Sequence, residues 1–358
     1  DRLWDSKPML ELASRSSIST SPKMLGEMTV SMLKGEDGFQ KKEIEKLLEW
    51  VRHEPPSDVV SLPYSLLLGL AKPIKEALGR PICCTLQGED LFLEGLQEPY
   101  RSEAIKLIQD QFAHVDLFIS VSDYYAEFMP DYLRVPREKI RVVPLGINLE
   151  GYEARPAKRT EPFTVGFFAR VAPEKGLDVL ADAYSRVRLS GELPLARLEA
   201  AGYLAPEHKE YLAGIQKKMQ DAGLGEEFHY RGVLDRDEKI AFLRQLDVLS
   251  VPATYDEPKG IFLLEAMACG VPVVQPRRGG FTEIVEKTGG GLLVQKNDPD
   301  SLGRGLVQIY NDPELGVRLG QSGLQKVHEH YSVARMADRA IEVYESLLEK
   351  ELAADVRG

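Results

Sequence analysis

The stretch "YDEPKGIFLLEAMACGVPVV", Tyr255 to Val274, carries two carboxylates in a setting that makes one of them costly. Glu265 stands among Ile261, Phe262, Leu263, Leu264, Ala266, Met267 and Ala268, a run apolar on all sides that marks a buried helix. A carboxylate buried without partners costs several kcal/mol. Hydroxyl groups of a sugar or ribose are suitable donors for it; the competing reading is an internal salt bridge to Arg277 or Arg278. Gly260, preceded by Pro258, marks the start of that helix, so the amides of Gly260, Ile261 and Phe262 are open first-turn donors suited to an anion. Further upstream, "GFFARVAPEKGLDVL" places Arg170 and Lys175 in a loop between an expected strand and an expected helix. Arg offers a bidentate fork and Lys a point charge, which together suit a diphosphate. Solvated loop cations are the plainer account of that pair taken alone.

Other patterns are less specific. "HEH" at His328–His330 diverges on a helix and is not a zinc motif. "DRD" at Asp235 and "DPD" at Asp298 read as helix N-caps rather than metal-binding Asp-x-Asp pairs. "GGG" at Gly289–Gly291 reads as a turn into a strand. There is no Walker sequence, no Gly-x-Ser-x-Gly and no Gly-x-Gly-x-x-Gly.

These residues need a scaffold, and the chain supplies short apolar strands alternating with amphipathic helices. "SDVVSL", "RPICCTL", "DLFISVS" and "IRVVPLG" alternate with helical stretches in the first part, which opens polar and irregular before "KKEIEKLLEWVRH". "NLEGYEARPAKRTEP", Asn148 to Pro162, suits a linker, after which the alternation restarts at "FTVGFFA". Strands of this kind are parallel and covered on both faces. The expected fold class is therefore α/β, with two Rossmann-like doubly wound domains facing across a cleft. The expected division is 1–153, 154–335, and a terminal helix at 336–358 that can pack back on the first domain. Ligands of such folds bind at the carboxyl ends of strands.

With 358 residues, 43% hydrophobic and 28% charged, the composition is that of an ordinary globular protein. A net charge of -11 argues against nucleic acid as the main partner. Cys83, Cys84 and Cys269 form no disulfide framework and read as buried small hydrophobes of a reducing, cytoplasmic compartment. No apolar run is long enough to span a bilayer, which leaves peripheral contact with an inner membrane surface open.

Taken together, "ARVAPEKG", "YDEPKGIFLLEAMACGVPVV" and "GGFTEIV", in this order and spacing, closely resemble the family 4 retaining glycosyltransferases of GT-B fold. Glu257 and Glu265, seven residues between them, match the family's Glu-x7-Glu signature, and "VPLGINLEGY" and "TLQGEDLF" extend the likeness. The resemblance implies a metal-independent, cofactor-free transferase that moves a sugar from a nucleotide-diphosphate donor to an acceptor hydroxyl with retention. It implies Arg170 and Lys175 on the diphosphate, with Gly260, Ile261 and Phe262, and Glu257 on the donor sugar. It also implies Glu265 on the ribose, Leu234 beside the base, and Gln87 and Gly88 lining the sugar. Gln87 stands where the family usually has His, and a Gly-rich loop expected before "SDVVSL" is missing. The chain is therefore expected to be N-terminally incomplete. A non-catalytic nucleotide-sugar-binding protein is the alternative, and a GT-B epimerase ranks below it. Base, sugar, acceptor and linkage are not identified.

Overall fold

Helices α1 (Pro22–Leu33) and α2 (Lys41–His53) lead into a first sheet. That sheet is built from β1 (Val60–Leu62), β2 (Ile82–Leu86), β3 (Leu117–Ser120) and β4 (Ile140–Val142), in the order β1-β2-β3-β4. The computed structural model describes residues 21–155 and 161–355. The opening "DRLWDSKPMLEL" and the centre of the expected linker lie outside the described residues. Between β1 and β4 run α3 (Ala71–Leu78), α4 (Glu89–Glu94), α5 (Tyr100–Asp110) and α6 (Asp123–Tyr132).

Helix α1 corrects the expectation of an irregular opening. Its start is specified by Ser21, whose side chain accepts from Met24 N–H, and by Pro22 in the first turn. Gly26, Thr29, Val30, Ser31 and Leu33 form the buried side of the helix. Glycine, threonine, valine and serine are indifferent helix formers, so the stretch shows little helical bias outside its tertiary contacts.

The second sheet has six strands in the order β10-β9-β8-β5-β6-β7, and its pairings are parallel. In chain order these are β5 (Phe163–Phe168), β6 (Ala196–Ala201), β7 (Phe228–Tyr230), β8 (Val248–Leu249), β9 (Val273–Pro276) and β10 (Gly291–Val294). The connecting helices are α7 (Leu177–Leu189), α8 (Lys209–Asp221), α9 (Arg236–Arg244), α10 (Ile261–Ala268) and α11 (Gly279–Thr288). Three more follow: α12 (Pro299–Asn311), α13 (Pro313–His330) and α14 (Val333–Asp355). β5 is buried almost throughout, as a strand covered on both faces must be.

Strand β8 is shorter than "DVLSVPA" suggests. Ser250 N–H still donates to Gly166 O, but Ala253 N–H folds back onto Val251 O, and the strand gives way at Pro252. The expected N-caps are both formed. Asp235 completes a capping box with Glu238, and Asp298 accepts from Ser301 N–H. Gly289 closes α11 in the left-handed region, and Gly291 opens β10.

Two compact units emerge from the chain's own contacts. One holds the described residues up to Thr85 together with Glu89–Leu117 and Tyr132–Val135. The other holds Leu86–Gly88, Phe118–Asp131 and the described residues from Pro136 onward, including the whole six-stranded sheet. Cys83, Cys84 and Cys269 are free and buried, and burial pushes the thiols of Cys83 and Cys269 up to about 12. Among the described residues no helix is long and apolar enough to cross a membrane.

Candidate functional site

From β5 the chain of the six-stranded sheet runs outward through β6 and β7, then returns to lay β8, β9 and β10 on the other side. The loops leaving β5 and β8 therefore diverge at the point where strand order reverses, the place at which open α/β sheets form a crevice. The loop after β5 carries Arg170 and Lys175, and the loop after β8 carries Tyr255, Glu257 and Gly260. Parallel pairing of β5 with β8 brings two segments some eighty residues apart in sequence to one edge.

The two loops are bonded to each other. Thr254 N–H donates to Glu174 O at 2.9 Å. Gly176 has φ 72°, and a Cβ there would lie 2.2 Å from Pro252 O, so only glycine permits this approach. Val171 N–H donates to Tyr203 O beyond β6, tying the loop down on its other side. The result is a braced segment that delivers Lys175 inward.

Lys175 Nζ forms an ion pair with Glu257 Oε2 and lies 2.9 Å from Tyr255 Oη. The Tyr255 hydroxyl also donates to Glu257 Oε2. The ammonium stands 5.1 Å from the Tyr255 ring centroid and 5.8 Å from that of Phe262, within cation–π range. Glu257 is buried, at 7% exposed, and is the more deeply covered of the two signature carboxylates. Arg170 takes a different course, since its guanidinium is largely exposed and pairs with Glu174. The two cations of the loop are thus not gathered on one anion in this state.

Backbone beneath Glu257 is held from α11. Gly280 N–H donates to Glu257 O at 2.7 Å. Arg278, 7% exposed, reaches Ala253 O at 3.3 Å, Asn297 Oδ1 at 3.0 Å and Asp256 at 3.4 Å. A guanidinium with fixed forks braces the loop from below in a way that no apolar residue could.

Helix α10 begins as expected. Gly260, with φ 66°, is its N-cap; a Cβ there would crowd Ile284 and Phe281 at 3.0 and 3.2 Å. Ile261 is 39% exposed, whereas Phe262, Leu263, Leu264, Ala266, Met267 and Ala268 are buried. The first-turn amides of this helix are donors without intrahelical acceptors by construction.

Glu265 is paired, but not with an arginine. Lys239 Nζ stands 2.6 Å and Tyr152 Oη 3.0 Å from Glu265 Oε1. Arg277 instead pairs with Glu286, and Arg278 with Asp256. The reason is the packing of α9 beside α10: Lys239 is one turn before buried Leu243 and shares its face. Burial and the neighbouring Glu265 charge push the Tyr152 phenol well above its ordinary value, so it stays a hydrogen-bond donor. Arg236 lies 5.5 Å from the Tyr152 ring centroid.

Of the remaining expected residues, Gly88 is placed against the loop after β8. Gly88, with φ 112°, lies against Pro258, whose Cγ would be 3.2 Å from a Cβ at that position. Gln87 precedes it in the same segment. Leu234, half-buried against the core, follows β7, two strands from β5 in the sheet. Sequence reasoning missed Lys239, Tyr152 and Tyr255, and it named Arg278 as a partner of Glu265 where the structure sets it beneath the loop after β8. Only Lys239 carried a signal, its position on the buried face of "DEKIAFL".

Two parallel sheets, of four and six strands with helices between successive strands, define a protein of the GT-B class. Family models agree: residues 33–150 match Glycosyltransferase Family 4 and residues 150–326 match Glycosyl transferases group 1. The chain belongs to the family 4 glycosyltransferases. An uncharacterized glycosyltransferase of Methanocaldococcus jannaschii is 27% identical over 64% of this chain and 60% of its own length. D-inositol 3-phosphate glycosyltransferase of Stackebrandtia nassauensis is 26% identical over 69% of this chain and 57% of its own. The chain thus spans about three fifths of the length of these curated relatives. Among solved structures, Anabaena HepE in complex with UDP and glucose superposes with a TM-score of 0.72 at 18% identity, covering 86% of this chain and 83% of that one.

Proposed function

We propose that the chain is a retaining, metal-independent glycosyltransferase that moves a sugar from a nucleotide-diphosphate donor to an acceptor hydroxyl. The observation that carries this reading is the meeting of Lys175, Glu257 and the start of α10 where strand order reverses. The solved complex of HepE with UDP and glucose supports a nucleotide sugar as the donor class.

In this reading the donor diphosphate takes Lys175 in competition with Glu257. The freed carboxylate then accepts from donor sugar hydroxyls, with Gln87 and Gly88 lining the sugar. Arg170 swings from Glu174 to the diphosphate, and the amides of Gly260, Ile261 and Phe262 complete the anion site. Leu234 lies beside the base, and Glu265 accepts from the ribose. As the bond from the anomeric carbon to the phosphate oxygen breaks, charge grows on the leaving diphosphate, where fixed cations and helix amides stabilise it. The acceptor hydroxyl attacks on the same face and passes its proton to that leaving oxygen. No metal or cofactor enters the scheme. Three free, buried cysteines suit a cytoplasmic setting.

Calorimetry with UDP, GDP and ADP tests the donor site. Glu265→Ala should weaken the nucleotide that binds by roughly 10- to 100-fold, the loss of hydrogen bonds to a charged group. Unchanged affinity in both Glu265→Ala and Lys175→Ala sinks the assignment. Mass-spectrometric screening for donor hydrolysis and transfer separates the transferase from a protein that only binds.

A further inference from the structure

Glu265 has two oxygens, and both of its protein donors converge on one. Lys239 Nζ and Tyr152 Oη each approach Oε1. Oε2 receives no hydrogen bond from the described groups and is not among the buried polar atoms left unsatisfied, so it remains open to solvent. A carboxylate embedded in apolar α10 would otherwise turn to satisfy itself wherever a donor could be found.

We infer that Lys239 and Tyr152 are positioning residues that fix the orientation of the Glu265 carboxylate and present its free oxygen to the ribose hydroxyls. The inference rests on the donor site proposed above. Lys239 is brought by α9, whose first turn is locked by the Asp235–Glu238 capping box. Tyr152 is brought by the segment following β4, where Ile147 N–H donates to Tyr331 O and Val333 N–H to Ile147 O. Two separately anchored donors on one oxygen determine the carboxylate's rotation, and hence the direction of the other lone pairs. The ammonium also sets a positive charge beside a largely buried carboxylate, 2.6 Å from Oε1. A simple structural ion pair would need neither the convergence on Oε1 nor the open Oε2.

The test compares UDP, GDP and ADP with their 2′-deoxy and 3′-deoxy counterparts by calorimetry, in wild type, Lys239→Met, Lys239→Arg and Tyr152→Phe. Wild type should prefer the ribonucleotide by about 10-fold or more, as a charged hydrogen bond implies. In Lys239→Met that preference should fall toward about 2-fold, with weak binding through the diphosphate retained. Lys239→Arg should restore part of it. Tyr152→Phe, which keeps the ring, should show the same change at smaller amplitude and decides the matter should Lys239→Met not fold. Loss of thermal stability with an unchanged ribo-to-deoxy ratio overturns the inference and leaves the donor site standing. Failure of wild type to bind UDP, GDP and ADP alike overturns both.

Discussion

Removing Lys175 should unbalance a deeply buried charge of the site, Glu257. The side chains of Lys175 and Glu257 are 12% and 9% exposed, and in Lys175→Met the carboxylate keeps, among the described residues, the Tyr255 hydroxyl as its side-chain donor. Breaking one side of a buried pair costs about 3–5 kcal/mol, because the surviving charge is left uncompensated. Tyr255 stays in place and places the expected loss near the lower end, about 3 kcal/mol. For a unit of this size, 1 kcal/mol moves Tm by about 2–4 °C, so the expected fall is about 6–12 °C. Circular dichroism melting and urea unfolding read it directly. The double variant Lys175→Met/Glu257→Gln removes both charges and should recover most of the loss, giving a coupling energy of about 2 kcal/mol. A Lys175→Met protein within about 0.5 kcal/mol of wild type, or a double variant no better than the single, refutes the reasoning.

Gly176→Ala should destabilise by about 1–3 kcal/mol, since it forces a side chain into the left-handed region against Pro252 O. An unchanged urea midpoint would mean the two loops have room that their spacing denies. A pH effect should come from Glu227, whose carboxyl the Arg188 guanidinium holds below its ordinary value, aided by the Tyr184 hydroxyl against the opposing effect of partial burial. Because the folded value is depressed, the unfolded chain binds the proton more readily, so the stabilisation is whole above about pH 4.3 and is lost as pH falls through the folded value. Glu227→Gln should therefore be less stable than wild type at pH 7, with the gap closing below about pH 4 in urea titrations. A gap constant from neutral to strongly acid pH contradicts it.

How much of this was legible beforehand varies by element, for physical reasons. Alternating apolar strands and periodic helices announce themselves locally, so α9, α10, β5 and β9 could be placed from composition and spacing. Caps are local too, and Asp235 and Asp298 behave as their positions suggest. Helix α1 was not legible, because glycine and β-branched residues hide a helix that depends on its neighbours for stability.

Amino-acid order alone determined which side chains were costly enough to need explanation: a glutamate in an apolar helix, cations in a loop, a glycine at a helix start. The identity of their partners is a matter of three-dimensional proximity. Lys239 and Tyr152 reach Glu265 from 26 and 113 positions away, and Lys175 reaches Glu257 across 82. Arg277 and Arg278, nearer in sequence to Glu265, are spent elsewhere because α11 directs one to Glu286 and the other beneath the β8 loop. Pairing of this kind follows from the parallel register of β5 with β8 and from the packing of α9 on α10, neither of which is written in any single stretch of the chain.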